Sequence, residues 1–289
     1  MKNKGFLTIA QNNKSTDYIK LAYALAMSLK ASQSAISNLS IAVTKKSDVP
    51  ENYVWAFDEI IEIPWGDAAS KSEWKLENEW KLYHITPYRE TIKLDCDMLF
   101  LNDINAWWNV LEKRDICIPT KVYNMQNTLV DNDFYRDGYF ENKIPKLHTA
   151  FMYFKKCELA HEFFTMAEII TQNWQKFYWN FLPIKSPKEF STDTTFSLAA
   201  KLIDRVDDIV SPWDEIPTFI HAKTKLTDWG NYHASEDWSN YVPFYFTPKL
   251  ECFIGYYRQN KPLHYHLKHL ITDEIISFYE NKVKANGRI

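Results

Sequence analysis

Glycine is scarce in this sequence: six in 289 residues, at positions 5, 66, 138, 230, 255 and 287. An average chain of this length carries ~20, at the usual ~7%. No two of the six fall within one phosphate-binding loop, so both G-x-G-x-x-G and G-x-x-x-x-G-K-[ST] are absent. A nucleotide, if bound, is held without a Rossmann fingerprint or a P-loop. The four cysteines (96, 117, 157 and 252) form no C-x-x-C pair, which removes the signal for a zinc site or a disulfide framework. Free thiols fit a reducing compartment. Long apolar runs are also missing. The longest uncharged stretch, residues 31–44, is 14 residues and rich in Ser, too short and polar to span a bilayer. The apolar segment Phe6–Ala10 is shorter than a signal-peptide core. These absences together give the expectation of a soluble, cytoplasmic protein without a membrane span. A net charge of −3 argues against nucleic-acid binding driven by the whole surface.

Aromatic residues, by contrast, are abundant: 18 Phe, 17 Tyr and 11 Trp. Apolar residues at 46% and charged residues at 25% are ordinary globular values, excluding disorder, collagen and coiled coil. A chain of this length buries roughly three quarters of its unfolded surface, so its core needs neither disulfide nor metal.

Hydrophobic periodicity then sets out the elements. Residues 5–10 read as a buried strand leaving through polar Gln11-Asn12-Asn13. Ser15-Thr16-Asp17 is a capping cluster for a helix whose stripe is Tyr18, Leu21, Ala22, Leu25, Ala26 and Leu29. Strands are predicted over 39–44, 59–63 and 91–94, with a helix over 73–85. This alternation predicts an α/β fold, a mainly parallel sheet with helices on its faces. Ligands in such sheets sit outside the carboxyl ends of the strands, here 10–13 and 95–97. Further on, helices are predicted over 104–111, 159–175 and 191–203, and strands over 116–119 and 149–154. From residue 249 the chain turns basic, with seven Lys/Arg against four Asp/Glu. The expected organisation is one domain over 1–248 with a C-terminal extension, 249–289, packed on it.

Asp95-x-Asp97 is the central motif. Residues i and i+2 of a strand point to one side, so two carboxylates at this spacing converge on one cation. Hard oxygen donors suit Mg²⁺ or Mn²⁺, which accept substrate phosphates in their remaining positions. The pair closes an apolar strand and precedes apolar Met98–Leu101; acids at a core edge require a counter-charge.

The stretch Thr91–Ile104 (TIKLDCDMLFLNDI) resembles the D-x-D signature of GT-A-fold nucleotide-sugar glycosyltransferases, particularly the glycogenin and lipopolysaccharide galactosyltransferase group. Other pieces are similar to that family in the same order. Residues 5–12 resemble its first strand and nucleoside loop, which implies donor contacts at Thr8, Ala10 and Asn12. Lys81 matches a basic residue that approaches the donor. Leu147–Phe154 resembles its "N-[SA]-G-V-M-L-F" strand, with His148 for Asn and Ala150 for Gly. Ser191–Leu198 resembles its "DQ-x-x-N" helix start, with Asp193 kept and Thr194 for Gln. Phe219–Trp229 parallels "I-I-H-[FY]-x-G-x-x-K-P-W", keeping His221 and Trp229 but carrying Thr227-Asp228 for Lys-Pro. The pattern is also similar to glycosyltransferases of phage genomes.

The resemblance implies a GT-A (Rossmann-like) fold and transfer of a sugar from a UDP-sugar, with retained configuration. It implies Mn²⁺ or Mg²⁺ held by Asp95, Asp97 and His221, Asp95 facing the donor as well. Lys223 and Lys225 would replace the family lysine, and Asp193 would hydrogen-bond hydroxyls near the reacting carbon. His264 and His266 (HYHLKH) stand as alternatives to His221. The acceptor is open between a saccharide or glycolipid head group and, given the basic aromatic tail (Tyr256, Tyr257, Arg258, Lys261, Tyr265, Lys268), a modified DNA base. A competing reading is a non-catalytic GT-A-like module that binds nucleotide or sugar. Each site residue also has a structural role available: His221 as a packed histidine, Lys81 as a solvated helix residue, Asp193 as a helix cap. Trp74, Trp80, Trp107 and Trp108 are expected to pack the core or its rim, one of them stacking on a sugar or base as the alternative.

Overall fold

The computed structural model describes residues 2–130, 137–223, 226 and 237–287. In chain order its strands are β1 (Lys2–Ile9), β2 (Leu39–Val43), β3 (Ile60–Glu62), β4 (Tyr88–Leu94), β5 (Met98–Leu99), β6 (Ile116–Cys117), β7 (Phe151–Lys155), β8 (Ile220–His221), β9 (Phe244–Phe246), β10 (Cys252–Ile254), β11 (Tyr257–Gln259) and β12 (Leu263–His264). The main sheet has the order β3-β2-β1-β4-β7-β6. The pairings from β3 through β4 are parallel, and β7 runs antiparallel to both β4 and β6. The fold is thus mixed α/β, as the alternation of elements predicts.

The central strands are apolar because both faces of the sheet are covered. Phe6 points to one face, where its ring meets Phe100 at 5.8 Å and Trp108 at 5.5 Å. Its neighbours Leu7 and Ile9 point to the other, against Ala42, Ile63 and Leu82. Gly5 sits where β1 crosses Tyr88: a Cβ there would lie 2.3 Å from the tyrosine ring, so no larger residue fits without displacing it.

The first helix, Tyr18–Ser32, starts at Asp17, whose carboxylate accepts from the Lys20 amide at 3.0 Å. That cap satisfies one of the free amides of the first turn. The last helix, Asp273–Ala285, packs against it. Tyr23 Oη donates to Glu280 at 2.6 Å, and Lys20 pairs with Asp273 at 2.7 Å.

A three-stranded sheet, β5-β12-β8, positions the site. β5 follows directly on Asp95–Asp97 and pairs antiparallel with β12, His264 opposite Met98. β12 pairs parallel with β8, His264 opposite His221. The segment after residue 249 therefore supplies a strand beside the acidic motif. A third sheet, β11-β10-β9, is a small meander; the expected boundary at 248/249 runs between its strands β9 and β10, which pair.

Three sequence expectations need correction. The helix expected over 73–85 forms only at its end, as a 3-10 turn Glu79–Lys81 and a short helix Leu82–Ile85. Lys75 has a left-handed backbone (φ 58), which a helix cannot hold. Its ammonium instead ties back to the carbonyls of Ala69 and Ser70 at 2.9 and 3.0 Å. The helix expected over 159–175 is divided at Asn173 into Glu158–Gln172 and Trp174–Phe181. Finally, β4 ends at Leu94, as expected, so Asp95 and Asp97 occupy its exit loop, where the i, i+2 geometry of a strand does not hold.

Candidate active site

Two connected hollows open at the carboxyl ends of β1 and β4. The larger, about 340 Å³, is lined by Ile9, Gln11, Tyr18, Trp74, Lys75, Glu79, Asp95, Cys96, Asp97 and Lys268. The smaller, about 160 Å³, is lined by His148, Thr149, Ala150, Ser191, Thr192, Asp193 and His221. Leu76, Asp95, Lys223, His264 and His266 line both. The two strand ends singled out in the sequence thus meet at one cleft.

The Asp-x-Asp pair is enclosed by cations. Asp97 is buried, and its Oδ2 lies 3.0 Å from His264 Nε2 and contacts the Lys268 ammonium. Burial pushes its pKa up, but His264 and Lys268 outweigh that and hold the carboxyl well below its ordinary range. Asp95 is more open, with Oδ2 3.8 Å from the same His264 Nε2. Its Oδ1 accepts from Lys93 Nζ at 2.5 Å.

Lys93 is fully buried and lies 2.9 Å from Glu79 and 3.0 Å from the Thr149 carbonyl. Burial lowers the pKa of Lys93, but the charges of Asp95 and Glu79 overcome it and the net shift is upward. Glu79 is pushed up to about 7, chiefly by burial, with Lys93 opposing and Asp95 adding to the shift. These are the counter-charges that acids at a core edge require.

A second cluster adjoins the first. His266, at left-handed φ 58, stacks on His264 with ring centroids 4.1 Å apart. Its Nε2 lies 3.0 Å from His221 Nε2, a contact that needs a proton on one nitrogen and a lone pair on the other. Burial, reinforced by Lys223 and neighbouring imidazoles, depresses the pKa of both His221 and His266. Among the described residues, two groups bring metal-ligating atoms within 4.8 Å of one another: Asp95, Asp97 and His264; and His221, His264 and His266.

The set that contains both carboxylates therefore takes His264, the alternative, where the sequence expectation has His221. Asp193 lines the smaller hollow. It does not cap its helix, because Ser191 does. Its Oδ1 instead accepts from the Thr149 amide at 2.9 Å and the Thr149 hydroxyl at 2.6 Å. Lys223 reaches both hollows, while Lys225 and Trp229 lie outside the described residues.

Of the first-strand residues, Thr8 and Ala10 are buried within the fold and line neither hollow. Asn12 accepts from the Ile19 amide at 3.0 Å and borders a separate depression. The neighbouring Gln11 faces the cleft. Lys81 is turned away from it: its ammonium meets the Gly66 carbonyl at 2.5 Å and lines a different hollow. Trp108 and Trp80 are buried, whereas Trp74 is 57% exposed at the cleft wall. Lys93, Glu79, Tyr18 and Lys75 join the site unannounced by any motif. One signal was available: a lysine inside the apolar strand segment Thr91–Leu94, two residues before Asp95, needs an acidic partner.

No family model matches the chain, and no curated protein sequence matches it. Solved structures do. Mouse xyloside xylosyltransferase 1 is 12% identical, with 72% of this chain and 84% of that one covered and a TM-score of 0.44. The galactosyltransferase LgtC, with donor and acceptor sugar analogues, is 10% identical, 68% and 69% covered, with a TM-score of 0.43. The Streptococcus pneumoniae glycosyltransferase GlyE is 8% identical with a TM-score of 0.46; 75% of this chain aligns with 47% of that one, about half its length. All three are glycosyltransferases.

Proposed function

We propose that this chain is a divalent-metal-dependent glycosyltransferase that moves a sugar from a UDP-sugar to a hydroxyl acceptor. The observation that carries the reading is the grouping of Asp95, Asp97 and His264 within 4.8 Å at the floor of the cleft. Two carboxylate oxygens and one imidazole nitrogen are a donor set that fits Mn²⁺ or Mg²⁺ and leaves positions for substrate oxygens. The Lys268 ammonium already drawn to Asp97 is further support, because it marks a site of negative potential.

In this reading Asp95, Asp97 and His264 hold the ion, which when bound acts as a Lewis acid on the departing diphosphate. The chain's own groups do the rest. Lys223 and Lys268 line the same cleft and supply positive charge for the phosphate oxygens, stabilisation that grows as the leaving group gains charge. Tyr18 and Trp74 offer aromatic faces for the base in the larger hollow. The smaller hollow receives the donor sugar, where Asp193, fixed by Thr149, accepts hydrogen bonds from hydroxyls near the reacting carbon. The acceptor is a saccharide, with a modified DNA base as the alternative; retention of configuration follows the family expectation.

The test is release of UDP from a panel of UDP-sugars with Mn²⁺, Mg²⁺ or EDTA, in wild type and Asp97→Asn. The reading predicts metal-dependent release that the variant lacks. Metal-independent release, or full activity in Asp97→Asn, contradicts it. Asp97→Asn is also expected to lose stability, because Asp97 is buried against the Lys268 ammonium and losing its charge leaves that cation uncompensated.

A further inference from the structure

We infer that a second hollow, separated from the donor cleft by the segment 74–81, is a saccharide-binding site. The segment divides its side chains between two sides. Trp74, Lys75, Leu76 and Glu79 line the donor cleft, while Glu77, Trp80 and Lys81 line an open hollow of about 800 Å³ with Trp65, His84 and Glu168.

Its wall is an indole platform. Trp65 and Trp80 are parallel to within 4° with centroids 5.7 Å apart, and Trp65 is 67% exposed. The residue pair Trp65-Gly66 is held in left-handed backbone, φ 58 and 75, costly for tryptophan, and this turn presents the ring to solvent. His84 packs edge-on to both indoles, at 5.3 and 5.9 Å.

Glu77 Oε2 and His84 Nε2 are buried and have no hydrogen-bond partner among the described residues, although both residues line the hollow. Buried polar groups left this way are rare, and each calls for a missing partner. Lys81, 1% exposed, aims its ammonium at the Gly66 carbonyl on the same wall. The exposed face of Trp65, with a carboxylate and an imidazole beside it, matches a pyranose, which has an apolar C–H face and a rim of hydroxyls that both donate and accept. The presence of Lys81 disfavours an organic cation, the other ligand that indoles take.

The site stands on its own residues, independent of the donor cleft. It would hold a sugar chain away from the reaction centre. The experiment is binding of the full chain to an array of immobilised neutral oligosaccharides of glucose, galactose, mannose and xylose, with dissociation constants measured for the hits. Wild type is expected to bind alike with and without EDTA, and Trp65→Ala to bind roughly tenfold more weakly, ~1.4 kcal/mol. Glu77→Gln provides a second weakened variant should Trp65→Ala fold poorly. Absence of binding, binding insensitive to both substitutions, or binding abolished by EDTA overturns the inference. Failure of UDP release with array binding intact would fault the donor reading alone.

Discussion

His264 Nε2 lies 3.0 Å from Asp97 Oδ2, though 167 residues separate them. The contact exists because β12 inserts between β5 and β8, placing His264 beside the motif and His221 one strand further away. Strand order thus places His264, rather than His221, next to Asp97.

The first prediction follows from that order. His264→Ala should weaken Mn²⁺ binding by at least the roughly 10–100-fold typical of losing even an outer-shell partner. His221→Ala should leave it within a few-fold, because it removes no member of the carboxylate-bearing set. Mn²⁺ titration followed by electron paramagnetic resonance reads both variants. Equal losses in the two would mean that the histidines share the ion.

Lys93 is the electrostatic keystone of the cleft floor. Lys93→Met would leave Glu79 and Asp95 facing each other without the ammonium, and breaking a buried pair typically costs ~3–5 kcal/mol. Chemical denaturation should show a loss of that order at pH 8. A variant within about 1 kcal/mol of wild type, the range of changes outside such networks, would mean that Lys93 does not carry this role.

Glu79 gives a pH signature. Burial raises its folded-state pKa to about 7 from the ordinary 4.5, so the native state holds more protons than the unfolded chain between these values. Its contribution to stability is greatest below pH 4.5 and falls as the pH rises through about 7. Denaturation curves of wild type and Glu79→Gln at pH 5 and pH 8 test this. The difference between the two pH values should shrink in the variant, and an unchanged difference would assign the pH dependence to other groups.

Much of the fold is legible in the sequence because it is locally encoded. Phe6–Ile9, Leu39–Val43 and Thr91–Leu94 announce themselves as buried strands, and Asp17 announces the start of its helix. What fails is structure fixed by distant partners. The segment 73–78 is expected to begin a helix, yet Asn78 is held by Gln11 and Asp67 at 2.8 and 2.6 Å, and Lys75 is drawn back to Ala69 and Ser70. These contacts override local propensity. The Asp-x-Asp motif is readable because its partners are adjacent in sequence and it terminates a strand. His264 and Lys268 are brought in by a pairing between β5 and β12 that no local pattern encodes, and Lys81, matched to a family residue by its place ahead of the motif, faces the opposite side of its segment.

The central claim is tested most directly by thermal stability with UDP, with and without Mn²⁺, at the same protein concentration. A ligand at ~100 times its Kd adds ~2.7 kcal/mol to the native state, a clearly visible rise in Tm. The account predicts that UDP raises Tm in the presence of Mn²⁺, and that the rise disappears with EDTA and in His264→Ala. No UDP-dependent rise with Mn²⁺ present would contradict it, leaving Asp95 and Asp97 as structural acids paired with Lys93, Lys268 and His264.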